Sequence, residues 1–357
     1  MSAREHRADV RAEPGWEKRA MDWKLARAGL AALIAACAVP QPAVAGADLP
    51  WKVVADVPLP GKTTRFDYAS DDPARHRLFL AHLGQDEVLA FDTRTRKTIG
   101  VVGNVRKVHG VLAIPQLGRV YASATGTDEI VAIDETRLTE VARIPSGVHP
   151  DGMAYAPGVE RLYVSDELGR TETVIDVRTN RRIATIPLGG EVGNSQYDRA
   201  SGHIFVNVQT RGQLVEIDPA TDRVIRRIRL RGAEDNHGLL IEPRSRRAFI
   251  ACAGNDRLLV LDLRTRRITQ TLPIGHDPDV LAFDPRTNLL YVASESGTVS
   301  LMALQAGRLR MLGAGRLAPD AHVVAVDPDT DLAYFPIRNL GGRPMLRITE
   351  VVGRGVR

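Results

Sequence analysis

Residues 161–190 read Arg161-Leu162-Tyr163-Val164-Ser165, then Thr173-Val174-Ile175-Asp176, the basic turn Arg178-Thr179-Asn180, and Ile183-Ala184-Thr185-Ile186-Pro187-Leu188-Gly189-Gly190. Each apolar run is strand-sized, rich in β-branched side chains and bounded by turn formers. The block recurs along the chain. Its landmark acid stands at Asp92, Asp134, Asp176, Asp218 and Asp262, with gaps of 42, 42, 42 and 44 residues. Two degenerate copies follow, with Ala303 and Thr349 at the aligned position, which makes seven.

Four strand-sized runs in a repeat of this length predict an all-β fold, a seven-bladed β-propeller of four-stranded antiparallel blades. One blade cannot bury both of its faces without neighbours, so the repeats must stack. A solenoid would need capping repeats, and none is legible. A ring must also close. The last copy, ending Met345-Leu346-Arg347-Ile348-Thr349-Glu350, lacks an outermost strand, and Trp51-Lys52-Val53-Val54-Ala55-Asp56-Val57 is a strand without a blade. The N-terminal strand is therefore expected to complete the last blade and close the ring.

The composition agrees with this reading: of 357 residues, 44% are hydrophobic and 25% charged, which excludes a disordered chain and suffices for a sizeable core. The one long apolar run, residues 28–39, is too short to span a bilayer. It follows Lys24 and Arg27 and precedes Ala43-Val44-Ala45, the layout of a secretory signal peptide cleaved after Ala45. Residues 1–45 are thus read as a signal peptide, with Met21 as an alternative start. Residues 46–357 are read as a single propeller domain without a transmembrane span, periplasmic or secreted. Ile34-Ala35-Ala36-Cys37 offers a second route, lipid anchoring through Cys37. The mature chain carries a net charge of +3, no polyanion-binding signature by itself. It keeps one cysteine, Cys252, in an apolar stretch, read as a buried thiol.

The Leu162-Tyr163-Val164-Ser165, Thr173-Val174-Ile175-Asp176 and Leu290-Tyr291-Val292-Ala293-Ser294 segments resemble the YVTN repeat. Over residues 50–352 the chain is similar to the exported YVTN-repeat (YncE-like) propeller family. The resemblance implies the fold. It leaves activity open, because such propellers include binding proteins, redox-enzyme subunits and lactonase or lyase relatives.

Blade topology assigns loops to faces. The loops entering the innermost strands, and those joining second and third strands, share the face around the channel mouth. Five histidines fall in the entry loops: His109, His149, His237, His276 and His322. Arg65, Asp67, Asp151, Asn236, Asp277, Asp279 and Asp320 occupy aligned or adjacent positions, and His82 comes from a neighbouring loop on that face. Imidazoles and carboxylates converging on one mouth are donors for a divalent transition metal such as Zn, Cu, Ni or Fe. The same groups serve equally as general acid and base. His149-Pro150 and His276-Asp277-Pro278 also read as the repeat's own turns. His109, His237 and His322 share one repeat position without a following proline, so they are the expected metal ligands. Arg65, Asp67, His82, His149, Asp151, Asn236, His276 and Asp279 are the expected ligand-binding residues.

The opposite face collects Arg94-Thr95-Arg96-Lys97, Arg178 to Arg182, Arg244 to Arg247 and Arg264 to Arg267. Solvated turn charges guard strand edges, and no aromatic residues interleave for base stacking, which weakens a nucleic-acid reading. Serine-hydrolase, zinc-protease, phosphate-loop and haem motifs are absent. The expected function is a non-catalytic exported propeller that binds a small ligand, metal or protein partner at the His/Asp-lined mouth. Two alternatives stand beside it: a lactonase- or lyase-type enzyme on the same face, and a scaffold contacting envelope or DNA through the arginine-rich face.

Overall fold

The computed structural model describes residues 49–352. Residues 1–45, read above as a signal peptide, with Met21 and Cys37, lie outside the described residues. Within them, seven four-stranded sheets follow one another as blades of a propeller. Blade three shows the plan, running from inner to outer strand as Pro150–Ala156, Arg161–Asp166, Thr171–Asp176 and Arg181–Pro187. Blade seven takes its outer strand from the start of the domain: Trp51–Pro58 pairs antiparallel with Arg343–Val351, Val53 opposite Thr349 and Val57 opposite Leu346. Arg347 reinforces that seam by donating to both carboxylate oxygens of Asp56 at 2.8 Å. The closure read from the sequence is the one observed.

The landmark aspartates end the third strands and cap the turns that follow. Asp176 Oδ1 accepts from the backbone N–H groups of Arg178 and Thr179, and Asp262 Oδ1 from those of Arg264 and Thr265. In blade seven the residue paired like these acids is Glu350, opposite Leu332, one place beyond the Thr349 that sequence alignment selects. The longer, irregular hairpin there shifts the count.

The core lies between blades. Each second strand buries one aromatic ring at the same position, Phe79, Tyr121, Tyr163, Phe205, Phe249, Tyr291 and Tyr334, all at most 2% exposed. Tyr121 and Tyr163 also donate to turns of the following blade, to Asn180 and Asp222, so the repeated aromatic both fills the interface and ties neighbours together. Cys252 is buried and free, as the sequence indicated. No helix among the described residues is long and apolar enough to cross a membrane.

Candidate functional site

Aligning the inner strands puts Asp67, His109, Asp151, Gly193, His237, Asp279 and His322 at one equivalent position, one per blade. Skipping Gly193, acid and imidazole alternate around the axis. One place further, Tyr68 of blade one donates to Asn194 Oδ1 of blade four at 2.6 Å, a bond that joins blades on opposite sides of the ring.

Local sequence explains how these side chains reach the axis. In blades two to six the inner strand carries a register shift spanning this position, for example between Val108 and Val111 and between Asn236 and Leu239. A bulge of this kind re-aims a side chain. Glycine follows in His109-Gly110, Asp151-Gly152 and His237-Gly238 because the next blade stands too close for a side chain. A Cβ on Gly110 would lie 2.2 Å from the Asp151 carbonyl oxygen, and one on Gly238 2.2 Å from that of Asp279.

The three ring imidazoles share a hydrogen-bonding scheme. His109 Nδ1 lies 2.8 Å from the Lys107 carbonyl, His322 Nδ1 2.9 Å from the Asp320 carbonyl, and His237 Nδ1 3.1 Å from Gln209 Oε1. Each Nδ1 must donate to such an acceptor, which leaves Nε2 as the free lone pair in the neutral ring. His237 Nε2 lies 3.6 Å from both Asp151 and Asp279, and His322 Nε2 lies 3.5 Å from Asp67 and 3.9 Å from Asp279. His322 is wholly buried, yet its Nε2 makes no hydrogen bond, nor do Oδ1 of Asp151 or Oδ1 of Asp279.

In blades three, four and six the residue sixteen places beyond the ring position, Glu167, Gln209 and Glu295, adds a second tier, joined by Arg65 and His149, each two places before the ring position. Glu167 pairs with His149 at 3.1 Å, and Gln209 donates to Glu167 at 2.9 Å. Arg65 grips Glu295 through both nitrogens at 2.9 and 2.7 Å and holds Asp67 Oδ1 at 2.8 Å. Among the described residues, the His/Asp/Glu set whose ligand atoms all lie within 4.8 Å of one another is Asp279, Glu295 and His322. The three imidazoles do not form such a set. Carboxylates stand between them.

Proximity and burial set the charges. Burial drives the Asp151 carboxyl up to about 7 and that of Asp279 to about 6, with His237 pulling both the other way. Burial also opposes ionisation of Asp67, but Arg65, His109 and His322 outweigh it and hold that carboxyl well below the usual range. His109 is pushed down, first by burial and also by His149, whereas acids around His237 and His322 overcome burial and raise both. The mouth therefore combines two carboxyls raised toward neutrality with imidazoles shifted in both directions by burial and by one another's charges.

Of the residues expected from sequence, Arg65, Asp67, His109, His149, Asp151, His237, Asp279 and His322 converge here. His149 joins the rim, its ring centroid 5.2 Å from that of His109. Three do not join. His82 is buried against Phe66, with ring centroids 4.2 Å apart, and bonds to Thr64 and Glu87. Asn236 points away from the mouth toward blade four, donating to Asn207 and to the Gln213 carbonyl there, because it immediately precedes the ring residue. His276 is 78% exposed and pairs with Asp256. Sequence reading missed Glu167, Gln209 and Glu295; their constant offset from the ring position was the available signal.

On the opposite face many arginines are engaged locally. Arg247 binds Asp262 at 2.6 Å, Arg246 binds Asp198 at 3.1 Å, and Arg178 binds Asp176 at 3.0 Å. Some of the charge that the sequence places there is thus paired, within a blade or, for Arg246 and Asp198, across to the neighbouring one.

Solved structures share the architecture. The chain is similar to Kuenenia stuttgartiensis hydrazine synthase, at 16% identity and a TM-score of 0.70, covering 89% of this chain and 99% of that one. It is similar to U3-55K at 12% identity and a TM-score of 0.71, covering 83% of this chain and 98% of that one. The RRP9 WD40 repeats give 12% identity and a TM-score of 0.72, covering 85% and 100%. No family model and no curated protein sequence matches the chain. These likenesses establish a seven-bladed β-propeller fold.

Proposed function

We propose that this protein is an exported propeller of the YVTN-repeat kind whose channel mouth binds a small cationic ligand, with a divalent transition metal as the simplest occupant. The observation that carries the reading is the buried ring of alternating carboxylates and imidazoles. Every ring imidazole is tied through Nδ1 and offers Nε2, the arrangement by which a protein presents histidine to a metal. Buried polar atoms usually find partners, so the bare His322 Nε2 and Asp151 Oδ1 fit groups that wait for a ligand. The five carboxylates Asp67, Asp151, Glu167, Asp279 and Glu295 favour a cation over an anion. Export rests on the N-terminal sequence ending at Ala45.

The test is thermal stability of the chelator-stripped, untagged protein with Zn, Cu, Ni and Mn salts. A ligand at a hundredfold excess over Kd stabilises the fold by about 2.7 kcal/mol. Wild type should shift upward by several degrees, and the His109→Ala/His237→Ala/His322→Ala protein should not. Equal shifts in both would sink the proposal.

A second reading has one specific support: His237 stands between two carboxyls raised toward neutrality, a fitting arrangement for acid–base chemistry of the lactonase or lyase type. Turnover of a lactone panel, lost in Asp151→Asn, would favour it; no turnover would leave the binding reading alone.

A further inference from the structure

The cation-binding reading leaves open where in the mouth an ion sits, and the sevenfold repeat tempts one to place it on the axis among the three imidazoles. The geometry points elsewhere. We infer that the ion sits off the axis, between blades six and seven, on Asp279, Glu295 and His322, and that Arg65 is a resident cation it displaces from Glu295. This inference rests on the cation reading and sharpens it.

Three observations carry it. First, Asp279, Glu295 and His322 are the set whose ligand atoms already lie within 4.8 Å of one another. Ligands of one tetrahedral ion, each about 2.0–2.3 Å from the metal, stand roughly 3.3–3.7 Å apart, so small side-chain rotations close the site. Second, His322 is wholly buried; its Nδ1 lies 2.9 Å from the Asp320 carbonyl and 3.5 Å from Glu295 Oε2, and its Nε2, 3.5 Å from Asp67 and 3.9 Å from Asp279, makes no hydrogen bond. It is the ring imidazole whose lone pair is most enclosed. Third, a cation is already there. The Arg65 guanidinium is bidentate on Glu295 and also bonded to Asp67. That is how a protein stabilises clustered carboxylates without a metal. An arriving ion competes for Glu295, while Asp67 remains as a berth for the released guanidinium.

Arg65 therefore sets the affinity, and it does so against the ion. The remaining imidazoles, His109 and His237, belong to the wall of the mouth rather than to the coordination sphere. The His109 ring packs beside that of His149, with centroids 5.2 Å apart, and His237 Nε2 stands 3.6 Å from both Asp151 and Asp279.

The experiment is isothermal titration of the full mature protein with Zn(II) and with Mn(II), each variant first checked for the wild-type circular dichroism spectrum. Glu295→Gln and His322→Ala should each weaken binding at least tenfold, and His109→Ala/His237→Ala should change it less than threefold. Arg65→Gln should tighten it at least tenfold, and Arg65→Lys, which keeps a cation, should not. Were His109→Ala/His237→Ala to abolish binding while Glu295→Gln bound like wild type, the off-axis site would be overturned and the cation reading would survive. Arg65→Gln binding no tighter than wild type would overturn the displacement by itself. No binding of either metal to wild type would overturn the cation reading along with this one.

Discussion

The Nε2 of His237, on blade five, lies 3.6 Å from a carboxylate oxygen of Asp151, on blade three. The two meet because the intervening blade presents Gly193 at the ring position. A Cβ there would lie 2.7 Å from the His237 carbonyl oxygen and 2.9 Å from its Cα, both backbone atoms that cannot yield cheaply. Gly193→Ala should therefore push the inner strand of blade five outward and separate the pair. Overpacking of this kind costs about 1–3 kcal/mol, read as a lower urea midpoint with unchanged m-value. An unchanged midpoint would show that the ring tolerates a seventh side chain.

Glu172 gives a pH signature away from the mouth. It is wholly buried, and burial raises its carboxyl well above the ordinary range, although Ser195 and Ser165 donate to it. For an acid raised in the folded state, the neutral form belongs to the fold. Below the ordinary value of 4.5 both states are protonated and nothing is lost; as pH rises above it, the unfolded chain ionises first and stability falls. Glu172→Gln keeps the shape and an acceptor oxygen for Ser195, whose bond is the shorter, and should melt higher than wild type at pH 7. The gap should close by about pH 4. A gap that is constant with pH would refute the assignment.

Ring closure is tested by removing residues 46–58. The deletion bares the edge of Arg343–Val351 and strips Trp51 from Phe335, whose ring centroids are 5.3 Å apart. An uncovered edge strand invites pairing with other chains, so the truncated protein should aggregate on light scattering at concentrations where the mature protein is monodisperse. A monodisperse, cooperatively folded truncation would contradict the closure.

Export is read from the mature N-terminus. Mass spectrometry of the extracellular or periplasmic protein should find Gly46 first, and a lipid-modified Cys37 is the outcome of the other processing route. Soluble cytoplasmic protein retaining residues 1–45 would remove the localisation.

Much of this was legible in the chain. The recurring acid and the aromatic of each second strand repeat because each blade needs the same turn cap and the same interface filler, and local needs of that kind are written in local sequence. The ring residues were found for the same reason, each by its place in the repeat. His82, Asn236 and His276 lie away from the mouth because proximity along the loop says nothing of direction: one residue before the ring position, as at Asn236, the side chain points toward the neighbouring blade. Glu295 and its grip by Arg65 were hidden, since that contact joins residues 230 positions apart on blades one and six. Glu350 in place of Thr349 was missed because the last hairpin changes length.

The central claim is that the mouth binds a single cation. The most direct measurement is the metal content of untagged protein, purified without chelators, stripped, reloaded with equimolar Zn(II) and desalted, against His322→Ala treated identically. The account predicts one zinc per chain in wild type and a substoichiometric trace in the variant. Equal content in the two proteins, or none in either, would contradict it.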